Sequence, residues 1–145
     1  MKLVAAFVGI WAAAFGWAAA PSQETKGERT VWDGVYTEEQ AKRGADVYKQ
    51  QCVRCHGETL EGNGEGAGPL TGIVFMSMWN GLTLGDLFDR LRLTMPQDKP
   101  GTLSRENGAD VIAYVLNFNR FPAGKTELAR EAERLRQIRF EATKR

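Results

Sequence analysis

Both cysteines and the only histidine of this 145-residue chain lie within five consecutive positions, in the sequence CVRCH. Two residues separate Cys52 from Cys55, so on a helix their sulfurs lie about one turn apart on the same side. His56 follows the second cysteine directly. The fold must therefore present two thiols and one imidazole from a single turn.

Such a cluster of two cysteines and one histidine can serve four kinds of site. A disulfide between Cys52 and Cys55 would close a very short loop, which constrains the unfolded chain little. A thioredoxin-like pair needs a βαβ setting that the neighbouring pattern lacks, and a zinc site needs more ligands than the chain offers. Covalent haem attachment remains, because two thioethers to one porphyrin edge need sulfurs one turn apart. We therefore predict one haem c bound through Cys52 and Cys55, with His56 as an axial ligand of the iron.

A haem iron that only transfers electrons takes a sixth ligand, which here can be methionine, lysine or water. Met76 and Met78 lie in the apolar run GIVFMSMWNG, where methionine usually fills a core. Met95 precedes Pro96, which disfavours helix at Met95 and places it on an extended loop from which a side chain can point inward. We predict that Met95 ligates the iron opposite His56.

The N-terminal sequence has the layout of an exported protein. One lysine precedes an uninterrupted apolar and small-residue stretch over residues 3–20, and a polar, proline-containing segment follows. We expect residues 1–22 to be a signal peptide, with an uncleaved anchor as the alternative, since about 18 apolar residues can just span a bilayer. The remaining chain is then expected in the periplasm, with membrane contact only through an uncleaved anchor.

Hydrophobic periodicity predicts an all-α fold with four helices and no competing strand. The first helix begins at Thr37, in a capping box with Gln40, and carries the cysteine motif at its end. The second begins at Thr83 and leads into Met95, and the third begins near Ser104. The fourth covers the C-terminal residues, whereas the sequence GIVFM is predicted to be an apolar loop against the haem.

The predicted domain organisation places a haem-binding domain over residues 37–122, between an N-terminal extension, 23–36, and a charged C-terminal helix, 123–145. From Lys125 onward there are seven Lys or Arg and four Glu residues. A solvated helix is the simplest interpretation; the alternative is that its stripe of leucine and isoleucine docks a partner or packs back on the body. The formal net charge of +1 gives no reason to expect nucleic-acid binding.

Residues 37–122 resemble the class I c-type cytochromes. The sequence GADVYKQQCVRCHG is similar to the family's N-terminal helix, in which a glycine and an aromatic, here Gly44 and Tyr48, precede the first cysteine. The sequence DVIAYVL is similar to the C-terminal helix, which implies that Val111 and Tyr114 cross the first helix at the glycine. The small residue has a physical reason, since closely crossing helices leave no room for a side chain.

Two further motifs carry the resemblance. The sequence GPLTG is similar to the loop whose proline carbonyl accepts the axial histidine's other N–H, which implies that role for Pro69. The sequence TMP is similar to the methionine-ligand loop, which supports Met95. The resemblance implies a compact helical domain wrapped around one covalent haem, with apolar residues of the GIVFMSMWNG run, Ile73, Val74, Phe75 and Trp79, excluding water from the haem pocket.

The implied function is that of a monohaem electron carrier, not an enzyme. It would carry single electrons between periplasmic redox proteins, such as a donating dehydrogenase and an accepting terminal oxidase or other acceptor. A haem sensor or peroxidatic protein with an open sixth site is the alternative, although no second histidine remains to act as a distal acid or base. A third interpretation is that the cytochrome works only as a bound subunit of a larger complex.

Overall fold

A computed structural model describes residues 29–64 and 66–144, so the predicted signal peptide and residues 23–28 lie outside the described residues. The elements in chain order are β1 (Arg29–Thr30), α1 (Glu38–Gln51), α2 (Val53–His56), α3 (Gly72–Trp79), α4 (Leu84–Thr94), α5 (Arg105–Phe118), α6 (Ala132–Leu135) and β2 (Ile138–Arg139). The all-α class is confirmed. Within the described ranges, no helix is both long and apolar enough to cross a membrane.

The crossing of α1 and α5 forms the scaffold. A Cβ added to Gly44 would overlap the carbonyl of Asp110 and come within 2.9 Å of Tyr114 Cβ, so only glycine permits this approach. The predicted crossing at the glycine is therefore confirmed for Tyr114, whereas the nearest residue is Asp110 and not Val111. The Tyr48 and Tyr114 rings meet beside it, with centroids 5.2 Å apart. This packing fixes the direction in which the end of α1 presents the cysteine motif.

Helix starts follow the predicted caps with one difference. Thr83 and Asp86 form a complete capping box at α4, and the Ser104 side chain caps α5. Thr37 accepts from the Gln40 N–H as expected, but the Gln40 side chain does not complete the box. Its amide instead donates to the Leu128 carbonyl at 3.1 Å and accepts from the Leu128 N–H at 2.6 Å. A buried glutamine thus satisfies both backbone groups of a residue far along the chain.

The predicted C-terminal helix is wrong. Residues 123–144, called here the C-terminal segment, contain only the four-residue helix α6, and β2 pairs in parallel with β1. Ile138 and Phe140 are buried while Arg139 between them is only partly so, which is the two-residue alternation of extended chain. The segment packs back on the body, because its four large apolar residues are all buried, namely Leu128, Leu135, Ile138 and Phe140.

The N-terminal residues from Arg29 onward share the same core. The Trp32 indole donates to the Glu141 carbonyl at 2.9 Å, and the Tyr36 hydroxyl donates to the Phe121 carbonyl at 2.6 Å. These hydrogen bonds connect the described part of the predicted extension to the central domain and to the C-terminal segment. The three regions also share one continuous hydrophobic core. The described residues therefore pack as one unit across the predicted boundaries.

The GIVFM run is not a loop but the start of α3. Phe75 is buried against Phe140 and Trp79 is half-buried, since four-residue spacing puts both on one helix face. Ile73 and Val74 lie on other faces and are 82% and 55% exposed. The four residues therefore do not share one helix face, because a helix turns by about 100° at each residue, and their place around the haem stays a prediction.

Candidate haem-binding site

The cysteine motif forms a tight turn at the end of α1, which we call the haem turn (Cys52–His56). The Cys52 N–H donates to the Tyr48 carbonyl at 2.8 Å, and the N–H groups of Cys55 and His56 both donate to the Cys52 carbonyl. Both cysteines are half-buried free thiols, so no disulfide joins them. The turn thus places two sulfurs on one short helical stretch.

The environment of Cys52 keeps its sulfur protonated. Burial, with the neighbouring Cys55 as the second cause, raises the pKa of the Cys52 thiol to about 11. Thiol–disulfide exchange requires a thiolate, which is scarce at neutral pH for such a group. Cys52 is therefore poorly suited to act as the attacking thiol of a redox pair.

His56 is oriented by a contact with the glycine-rich loop that follows it. Its ring nitrogen Nδ1 lies 2.9 Å from the carbonyl oxygen of Gly68. Because a carbonyl oxygen only accepts, Nδ1 must carry the proton, which leaves the lone pair of a neutral ring on Nε2. The arrangement prepares Nε2 to bind a metal. The predicted acceptor, the carbonyl of Pro69, is therefore wrong by one residue.

The closure of the loop explains this shift. The Gly62 N–H donates to the His56 carbonyl at 2.9 Å, and the Leu70 N–H donates to the Leu60 carbonyl at 2.7 Å. Gly62 has a φ of +78°, and a Cβ there would clash with the Ala67 carbonyl. The chain returns so closely at Gly62 that the Gly68 peptide reaches the imidazole.

Met95 lies at the end of α4 with an extended backbone, as expected before proline, and its side chain is half-buried. In the same loop, the Asp98 carboxylate lies 3.5 Å from the Arg54 guanidinium of the haem turn. This ion pair brings the loop that carries Met95 to the haem turn. Met76 packs against the core, whereas Met78 is 62% exposed.

The donor set fits a covalently attached haem. Two free thiols lie on one turn, and the adjacent imidazole has Nε2 available. The same residues do not fit a zinc site, since among the described residues no three or more His, Cys, Asp or Glu side chains gather where they could hold a metal ion.

Comparison with known proteins agrees with this chemistry. Residues 39–115, just over half of the chain, match the family described as cytochrome C oxidase, cbb3-type, subunit III. The chain belongs to this family of c-type cytochromes. A 45-residue stretch is also 47% identical to cytochrome c-551 of Bacillus subtilis (strain 168), covering 31% of this chain and 39% of that protein. That match spans well under half of the relative's length.

As a member of a family of c-type cytochromes, the protein carries covalent haem c on Cys52 and Cys55. Three features of the site were missed by sequence reasoning: the Gly68 acceptor, the Arg54–Asp98 pair and the hydrogen bond from the Tyr48 hydroxyl to the Gly57 carbonyl. Opposite charges at 54 and 98 were a visible signal. The glycine-rich loop carried no signal in its sequence for the Gly68 acceptor, because its path depends on the close backbone contact between Gly62 and Ala67.

Proposed function

We propose that this cytochrome carries single electrons through an iron ligated by His56 and Met95. The observation that carries the proposal is the pairing of Arg54 with Asp98, which joins the haem turn to the loop of Met95. The extended backbone at Met95 also frees its side chain from the α4 surface. When bound, haem c supplies a reversible one-electron change at iron, and a thioether ligand favours the reduced state.

The protein's own residues have a positioning task in this proposal. The Gly68 carbonyl holds the Nδ1 proton of His56 and so fixes the ring orientation. A hydrogen-bonded imidazole is also a more basic ligand. The Arg54–Asp98 pair keeps the Met95 loop against the haem turn. No side chain is assigned a proton-transfer or nucleophilic role, so we propose a carrier and not an enzyme.

For partners, we propose other redox proteins of the periplasm, with a dehydrogenase as donor and a terminal oxidase or other acceptor. The family description names an oxidase subunit, which supports an oxidase complex as the acceptor. The apolar N-terminal stretch supports export. Electron-transfer encounters usually bury small interfaces, so transient docking fits a carrier of this size.

The proposal is tested by the visible spectra of haem-loaded wild type, Met95→Ala and the matched variants Met76→Ala and Met78→Ala. We expect a low-spin oxidised spectrum with a far-red sulfur-to-iron band in wild type. That band should disappear only in Met95→Ala, because the other two methionines lie on α3.

Two results would contradict the proposal. A far-red band lost with Met76 or Met78 would move the ligand to α3. A high-spin wild-type spectrum, unchanged by Met95→Ala, would indicate an open sixth site and favour the sensor or peroxidatic alternative.

A further inference from the structure

Tyr48 contacts the haem turn at both of its ends. Its backbone carbonyl accepts the Cys52 N–H at 2.8 Å, where the turn begins. Its side-chain hydroxyl donates to the Gly57 carbonyl at 2.6 Å, directly after His56. One residue of α1 thus brackets the two cysteines and the histidine between a main-chain and a side-chain hydrogen bond.

The hydroxyl is well placed to make a strong bond. Tyr48 is only 1% exposed, and its ring packs against Tyr114 of α5. Burial raises the pKa of Tyr48, with contributions from Cys52 and Tyr114, so the hydroxyl keeps its proton. A hydrogen bond with little access to water resists competition from solvent.

The far end of the turn needs such a restraint. Gly57 has a φ of +75° and ends α2, so the helix cannot continue past His56. None of the α2 residues is fully buried, and the polar contacts of the turn add to the packing of Cys52 and Val53 against the core. Through the Tyr48 hydroxyl, the Gly57 carbonyl connects the crossing of α1 and α5 to the end of the haem turn that carries His56.

We propose that Tyr48 is a positioning residue for His56: its hydroxyl fixes the Gly57 peptide and thereby the direction of the imidazole. The proposal rests on the proposed ligation of iron by His56. It assigns Tyr48 a role beyond aromatic packing, and the role depends on one oxygen atom. A phenylalanine at this position would keep the packing and lose the restraint.

The test compares haem-loaded wild type, Tyr48→Phe and the control Tyr114→Phe by NMR hydrogen exchange. Tyr114→Phe removes a hydroxyl from the adjoining ring, while the bond to Gly57 remains. In Tyr48→Phe we expect exchange of the His56 Nδ1–H and of the Gly57 N–H to accelerate about three- to tenfold, the range given by loss of one buried hydrogen bond. Amides in the middle of α5 should exchange at unchanged rates.

Three results would overturn the proposal. The first is that hydrogen exchange at His56 and Gly57 accelerates equally in Tyr48→Phe and Tyr114→Phe. The second is that exchange in Tyr48→Phe accelerates uniformly, α5 included, which would indicate a purely structural role. The third applies to wild type alone and needs no variant to fold: a Tyr48 hydroxyl proton that exchanges as fast as that of an exposed tyrosine. The visible spectrum of wild type reports His56 ligation separately, so failure of the proposed function would be recognised independently.

Discussion

The haem turn and the C-terminal segment are held in place by opposite means. The haem turn is fixed by polar contacts, from the Tyr48 hydroxyl to Gly57 and from His56 to Gly68. The C-terminal segment is fixed mainly by apolar burial, with Leu135 and Phe140 fully inaccessible to solvent. Cys52 and Val53 of the haem turn also pack against the core, so the two regions differ in the balance of polar and apolar contacts.

The largest effect should come from removing an aromatic ring of the C-terminal segment. Phe140 contacts the rings of Phe75 and Phe121 at 5.7 and 5.4 Å between centroids. Phe140→Ala should lower the free energy of unfolding by about 3 to 5 kcal/mol, because it leaves a cavity between the other two rings. Denaturant unfolding of the haem-loaded protein measures this. Phe118→Ala, at a partly exposed ring, is the control, and equal losses in both variants would show that the segment is only an appendage.

The polar anchor of the same segment should rank second. Gln40→Ala would leave the Leu128 N–H and carbonyl without their side-chain partners, at a cost of about 2 to 3 kcal/mol in unfolding free energy. Gln50→Ala, at an exposed glutamine of the same helix, should change stability by less than about 0.5 kcal/mol. Similar values for the two variants would mean that Gln40 does not anchor the segment.

In the glycine loop, two substitutions separate backbone contact from backbone conformation. Gly62 and Gly64 both have positive φ, but only at Gly62 would a Cβ clash, with the Ala67 carbonyl. Gly64→Ala should cost about 1 kcal/mol of unfolding free energy for the left-handed conformation alone, and Gly62→Ala at least about 2 kcal/mol. Faster exchange of the His56 Nδ1–H should accompany only Gly62→Ala. Equal behaviour would disprove the explanation given for the Gly68 acceptor.

The smallest effect is expected at the Arg54–Asp98 pair, whose side chains are 79% and 48% exposed. An exposed pair contributes about 0.2 to 1 kcal/mol and is screened by salt. Arg54→Gln should therefore raise the equilibrium constant for replacement of Met95 by added imidazole at the haem iron by no more than about fivefold, and only at low salt. Lys49→Gln, which removes a positive charge three residues before Cys52, is the control. An effect that persists at high salt would contradict an electrostatic cause.

Local signals predicted much of the fold and of the site. The caps at Thr83 and Ser104 and the haem turn are each specified by residues near in sequence. Gly44 marked the helix crossing although its partners on α5 are distant in sequence. The C-terminal segment was predicted wrongly because Leu128 and Leu135, seven residues apart, fit a helix as well as the observed path. Contacts with distant rings decide between the two. The acceptor for His56 was missed by one residue for a similar reason, since the return of the chain at Gly62 sets it.

The central claim is that a His56/Met95 iron exchanges single electrons without an open site. The most direct test is a potentiometric titration of the wild-type visible spectrum, followed by addition of carbon monoxide to the reduced protein. We expect one reversible one-electron transition, low-spin spectra in both states and no change with carbon monoxide, because the proposed ligands His56 and Met95 would leave no position open at the iron. A reduced spectrum that shifts promptly on addition of carbon monoxide would contradict the account and place a vacant or labile ligand position at the iron.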